Sequence, residues 1–222
     1  MTIFDLLQQL SQLDAVSRIT IWALPVIFAI TVHEAAHGYA ARHFGDMTAA
    51  AAGRITLNPL KHIDPVGTLL VPGLTMLVGG ILFGWAKPVP VDFGRLRHPK
   101  RDMLWVAAAG PASNFIMAMG WALAIKLSPM FPPFVSTPLV LMGAAGIMIN
   151  AVLMVLNLLP LPPLDGGRIA VSLLPYKWAY KFSRIEPYGF IILIVLMFTH
   201  ILGAILWPFI LMVFQLISWI FF

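Results

Sequence analysis

The sequence predicts an all-α polytopic membrane protein. A three-helix core is followed by a C-terminal helix pair, and a re-entrant segment with short β-strand elements follows the first core helix. Three observations carry this. Of 222 residues, 60% are hydrophobic and only 10% charged, with a mean hydropathy of +0.90, whereas a soluble domain carries roughly a quarter charged residues. Apolar stretches of spanning length recur along the chain. The 14 Lys and Arg exceed the 9 Asp and Glu, giving a net charge of +5. In so apolar a chain such an excess marks loops held on the cytoplasmic side and does not signal nucleic-acid binding. There are no cysteines, so disulfides and thiolate metal sites are excluded.

Residues 1–17 hold Asp5 and Asp14 and no basic cluster, unlike a cleaved signal peptide. The spacing of Ile3, Phe4, Leu6, Leu7, Leu10 and Leu13 predicts an amphipathic interfacial helix. Residues 19–41 form the first core helix. Residues 44–102 form a cytoplasmic and re-entrant region. Within it, 49–58 suits a short strand, 66–84 is apolar but broken by Pro72-Gly73 and Gly79-Gly80, and the alternating prolines after Lys87 read as extended. Residues 103–127 and 139–159 are the second and third core helices, joined by a proline-rich turn at 128–138. Residues 160–187 form a polar loop. Residues 188–222 would run about 52 Å as one helix against a core of about 30 Å, so two helices joined near Gly203–Pro208 fit better. The whole reads as one membrane-embedded domain.

The first core helix contains His33-Glu34-Ala35-Ala36-His37. Four residues apart on a helix, the two imidazoles share one face, one turn apart, and can reach one zinc ion. Glu34 is rotated about 100° away, beside the metal, where it can take a proton from an attacking water. An ionised group at a bilayer centre costs about 3 kcal/mol or more, and a bound zinc compensates three ionisable residues in five positions. A catalytic zinc takes three protein ligands and keeps one position open. Asp92, Asp165 and Glu186 are the acids that could complete the set. Asp165 stands out within Asn157-Leu158-Leu159-Pro160-Leu161-Pro162-Pro163-Leu164-Asp165-Gly166-Gly167, where prolines stop the helix and glycines let the chain turn close to a metal. On the residues alone, a metal ligand and an ordinary Asp-Gly turn stand level.

The first motif together with Asn157–Gly167 and Ala108-Ala109-Gly110-Pro111-Ala112-Ser113-Asn114-Phe115, in this order, resembles the site-2 protease family of intramembrane zinc metalloproteases, peptidase family M50. The resemblance covers roughly residues 26–168. It implies that Asp165 is the third zinc ligand and that Asn157 holds substrate near the metal. It also implies an extended segment that pairs with unwound substrate, expected at 49–58 and 87–91. The turn at 128–138 is too short for the PDZ domain that larger members insert, so a compact PDZ-less form is expected. A C-terminal nucleotide-sensing domain is not expected either.

One zinc cannot join His33 and Asp165 if their helix ends face opposite sides. A spanning 66–84 would separate them; a segment that dips and returns keeps them together. The re-entrant arrangement also puts 12 basic residues on one side against 2, where the spanning one gives 10 against 4. The expectation is an outside N-terminus, an active site near the cytoplasmic face, and location in the cell membrane.

His43, His62, His98 and His200 are isolated and read as hydrogen-bonding groups. Asn114, inside a span, is either an interhelical donor or a contact to substrate or the attacking water. The expected activity is endoproteolysis within or near transmembrane segments of membrane-protein substrates, as in regulated intramembrane proteolysis. Glu34 is the base, His33, His37 and Asp165 the zinc ligands, and Asn157 and Asn114 the substrate contacts. The alternative is a metal-binding membrane protein without catalysis, such as a transporter or chaperone, which would not need Glu34.

Overall fold

The computed structural model describes residues 3–70 and 87–222. Its helices are α1 (Ile3–Ser11), α2 (Ala15–His43), α3 (Thr48–Ala51), α4 (Pro99–Leu127), α5 (Pro133–Asn157), α6 (Asp165–Leu173), α7 (Tyr176–Ser183), α8 (Glu186–Phe198) and α9 (Ile201–Phe221). Among the described residues, four helical stretches are long and apolar enough to cross a membrane: Ala15–His43, Pro99–Met130, Pro133–Asn157 and Ile201–Phe221. The chain is thus helical and multi-pass.

The core is built from i, i+4 stripes. In α2 the buried residues include Ile21, Pro25, Ala29, His33 and Ala41. In α4 they include Asp102, Val106, Gly110, Asn114, Ala118 and Ala122. In α5 Gly143, Ile147, Ala151 and Val155 form one row and Gly146 and Asn150 the next. Such rows interdigitate, and small residues let helices approach closely where lipid offers no hydrophobic drive for association. A Cβ on Gly143 would lie 2.4 Å from the Ile125 side chain, and one on Gly146 2.4 Å from the Trp121 ring. Both glycines therefore set the α4–α5 contact. Helix α9 buries Leu206, Ile210, Val213, Phe214 and Ile217 against this core. Helix α1 buries Ile3, Leu6 and Leu10 in the same cluster, with Phe4 and Phe214 edge to face at 6.0 Å.

Several boundaries differ from the sequence reading. Among the described residues no strand forms. The alanine run expected as a strand is helix α3, in keeping with alanine's helix propensity. The Asp46 carboxylate accepts from the Thr48 backbone at 2.9 Å and from its hydroxyl. Residues 87–91 have no strand partner among the described residues; the Val89 N–H is donated to a side chain instead. The turn expected at 128–138 is shorter, because Pro133 opens α5 at a first-turn position where its missing N–H costs nothing. The loop at 160–187 contains α6 and α7. The C-terminal pair breaks at Thr199 and His200, which has φ +61°, and α9 runs through Gly203 and Pro208. Proline inside a membrane helix is tolerated where neighbours re-satisfy the backbone.

Pro65–Leu70 is a helical turn, and most of the expected re-entrant segment 66–84 lies outside the described residues. Its flanks are described. The Lys87 N–H donates to the His62 carbonyl at 2.9 Å, and the Arg97 N–H to the Phe44 carbonyl at 2.9 Å. The Asp92 N–H donates to the Asp46 carboxylate at 2.8 Å.

Candidate metal centre

Two helices supply the donors. His33 and His37 lie on the C-terminal half of α2, and their rings meet edge to face with centroids 4.8 Å apart. Asp165 is the first residue of α6. It reaches the histidines because the chain doubles back after α5. A Cβ on Gly166 would meet the Leu158 carbonyl oxygen at 2.3 Å, and one on Gly167 the Pro162 nitrogen at 2.3 Å. Only glycine fits a return that tight.

The Asp165 Oδ2 lies 3.3 Å from Nε2 of His33 and 3.3 Å from Nε2 of His37. The two Nε2 atoms are 3.1 Å apart. The Nδ1 of His37 lies 2.7 Å from the Val106 carbonyl, which can only accept. Its proton therefore sits on Nδ1, and Nε2 presents a lone pair. The Nδ1 of His33 faces the Asn114 Oδ1 at 2.5 Å. Two ring protons cannot share a 3.1 Å gap, and Asp165 Oδ2 is buried with no hydrogen-bond partner among the described residues. Three acceptors thus converge on one point, all within 4.8 Å of one another. A cation satisfies them, and this two-His, one-carboxylate set with space left open suits a catalytic zinc.

Gly110 of α4 lies against this point. A Cβ there would fall 2.4 Å from His37 Nε2 and 2.6 Å from His33 Nε2. The missing side chain at Gly110 therefore leaves room for the imidazoles.

A cleft of about 160 Å³ opens on the cluster, lined among others by His33, Glu34, His37, Val89, Asn157, Asp165 and Arg168. Glu34 accepts the Val89 backbone N–H at 2.8 Å. Asn157 donates to the Leu153 carbonyl at 3.0 Å and lines the cleft. Asn114 is 0% exposed. Its amide donates to Asn150 at 2.9 Å and to the Ala29 carbonyl at 3.3 Å. It thus lies behind His33 and is not among the residues lining the cleft. Two features escaped the sequence reading. Arg168 lines the cleft with its guanidinium over the Phe93 ring at 4.9 Å, and its place one turn after Asp165 was the available signal. Asn150 carried no motif.

The chain is 43% identical over 190 residues to a Bacillus subtilis protein, with 83% of each chain covered. The chain belongs to peptidase family M50. The Peptidase family M50 model itself matches residues 134–200 of this M50 chain. The Bacillus subtilis relative is YwhC, and a second, Rip2 of Mycolicibacterium smegmatis, is 31% identical over 201 residues, covering 88% of this chain and 70% of the relative. Both carry the name "Putative zinc metalloprotease". No solved structure matches. This M50 chain is a membrane metallopeptidase, with a donor set able to hold its metal ion.

Proposed function

We propose that this M50 chain is a zinc-dependent intramembrane endopeptidase that cuts peptide bonds within or near transmembrane segments of other membrane proteins. The observation that carries the reading is the convergence of His33, His37 and Asp165 beside Glu34 in a cleft formed by spanning helices. When bound by these three residues, zinc supplies a Lewis acid that polarises the scissile carbonyl and makes a water acidic enough to attack.

The chain's own residues do the rest. Glu34 takes the proton of the attacking water and returns it to the departing amide nitrogen. The Val89 N–H holds the Glu34 carboxylate in place. Val106 and Asn114 hold the two imidazoles with their Nε2 atoms inward. Asn157, on the cleft wall, holds the substrate backbone beside the metal, with Asn114 steadying His33 from behind. A substrate helix must unwind to reach the cleft, since a helical amide is already hydrogen-bonded. Residues 87–91 border the cleft through Pro88 and Val89 and offer irregular backbone against which an unwound segment can pair.

The domain is a single protease unit whose described segments after α2 and before α4 dock at one end of the molecule. Support comes from the hydrogen bonds that dock both flanks, at Phe44 and Asp46 and at His62, on the end of α2 that carries the histidines. Arg42, Arg54, Lys87, Arg97, Lys100, Arg101 and Arg168 gather at this end, which supports a cytoplasm-facing site in the cell membrane.

The experiment is incubation of the purified protein, reconstituted in bilayers, with a single-span substrate, followed by mass mapping of the products. A cut inside or at the edge of the span, absent with a chelator, supports the proposal. A cut confined to soluble regions, or one that persists without metal, contradicts it.

A further inference from the structure

We propose that Asn150 is a positioning residue that fixes which nitrogen of His33 faces the metal. A directional chain of four groups links α5 to α2. Asn150 Nδ2 donates to the Gly146 carbonyl at 2.8 Å. Asn114 Nδ2 donates to Asn150 Oδ1 at 2.9 Å. Asn114 Oδ1 faces His33 Nδ1 at 2.5 Å. A backbone carbonyl accepts and never donates, so Gly146 sets the direction of the whole chain. It draws the NH₂ of Asn150 to itself and leaves the Asn150 oxygen toward Asn114. That oxygen, with the Ala29 carbonyl 3.3 Å away, takes both N–H groups of Asn114. The Asn114 oxygen is then left for His33, whose Nδ1 must carry the proton, and the lone pair falls on Nε2, 3.3 Å from Asp165 Oδ2.

Burial makes the chain binding. Asn114 and Asn150 are both 0% exposed, so each lost partner costs the full desolvation of the group left behind. The α4–α5 approach that brings them together depends on Gly146, the residue whose carbonyl starts the chain, because a Cβ there would meet Trp121 at 2.4 Å. His37 needs no such device. Its Nδ1 is held directly by the Val106 carbonyl.

Asn150→Leu removes the acceptor facing Asn114 at similar volume. The Asn114 amide is then held by the Ala29 carbonyl alone, at 3.3 Å, and can turn its NH₂ toward His33, moving the ring proton to Nε2. The readouts are the ¹⁵N-histidine spectrum of the full-length zinc-free protein, which distinguishes the two tautomers, and zinc retention against a competing chelator. His33 signals are assigned from their loss in His33→Gln. Asn150→Leu should shift His33 toward the Nε2–H form and weaken zinc retention roughly ten- to a hundredfold, the usual cost of losing a partner behind a metal-binding histidine. Asn150→Asp, kept protonated by burial, donates its O–H to the Gly146 carbonyl and keeps an oxygen toward Asn114, so it should retain the wild-type tautomer and zinc retention. Asn150→Ala repeats the Leu test with no added bulk. An unchanged His33 tautomer in both Leu and Ala variants, or an Asp variant as defective as they are, overturns the proposal. The inference rests on His33 being a metal ligand. The nitrogen spectrum tests the relay without metal, whereas wild-type zinc retention by His33→Gln contradicts the ligand reading alone.

Discussion

At the scale of single residues, the centre follows from which atoms are left without protons. Each imidazole has its Nδ1 turned to an oxygen, so two Nε2 lone pairs and a buried carboxylate oxygen of Asp165 share one point. Asp165→Asn replaces that carboxylate with a neutral amide. Zinc retention should fall by more than the roughly ten- to hundredfold cost of losing an outer partner; retention at the wild-type level would remove Asp165 from the centre. Asn157 lines the cleft without touching the histidines, so Asn157→Ala should raise KM more than it lowers kcat while zinc content stays unchanged, as steady-state kinetics with metal analysis would report. His33, Glu34 and His37 were legible in the sequence because helical spacing alone puts the histidines on one face. Asp165 needed a resemblance, since an Asp-Gly pair by itself reads equally as a turn. Asn150 was not legible at all, because its role exists only across a helix contact.

At the scale of elements, glycines decide how close the helices come. Gly110→Ala would drive a methyl to within 2.4 Å of His37 Nε2. It should lower zinc occupancy and cleavage together, whereas Gly120→Ala, with nothing within 4 Å, should leave both intact and add about 0.5–1 kcal/mol of helix stability. Occupancy equal in the two variants would contradict the role given to Gly110. Asp46 ties the segment after α2 to the segment before α4. Burial pushes its carboxyl up, but donors from Thr48 and the Asp92 N–H outweigh this and hold it below the usual carboxylate range. A depressed native pKa stabilises the fold above the unfolded value of about 3.9, and that contribution is lost as pH falls through the native value. Asp46→Asn should therefore melt earlier at pH 7, with the gap to wild type closing in acid; a constant gap would contradict this. Spans were legible because apolar length is a property of composition. The boundaries were not, because Pro133, Pro138 and Pro208 read as breaks, yet the first two sit in the opening turns of α5 and the third inside α9.

At the scale of the whole molecule, the metal centre and the topology constrain each other. The C-terminal half of α2, the N-terminal half of α4 and the C-terminal end of α5 meet at the site, so the chain between α2 and α4 must leave and return on one side. The chain has no cysteine, which makes single-cysteine labelling unambiguous. Cysteines at Leu57 and Lys177 should react with a membrane-impermeant reagent from the same side, and one at Met130 from the other. Reaction of Leu57 and Lys177 variants from opposite sides would contradict the shared end. If a metal centre and a base act together in proteolysis, Glu34 is indispensable, whereas a metal-binding protein without catalysis would not need it. The most direct measurement is zinc content and substrate cleavage of Glu34→Gln, determined on one purified sample beside wild type. Both proteins should carry one zinc per chain, and only wild type should cleave. Cleavage by Glu34→Gln at the wild-type rate, or a wild-type protein that cleaves without zinc, would contradict this.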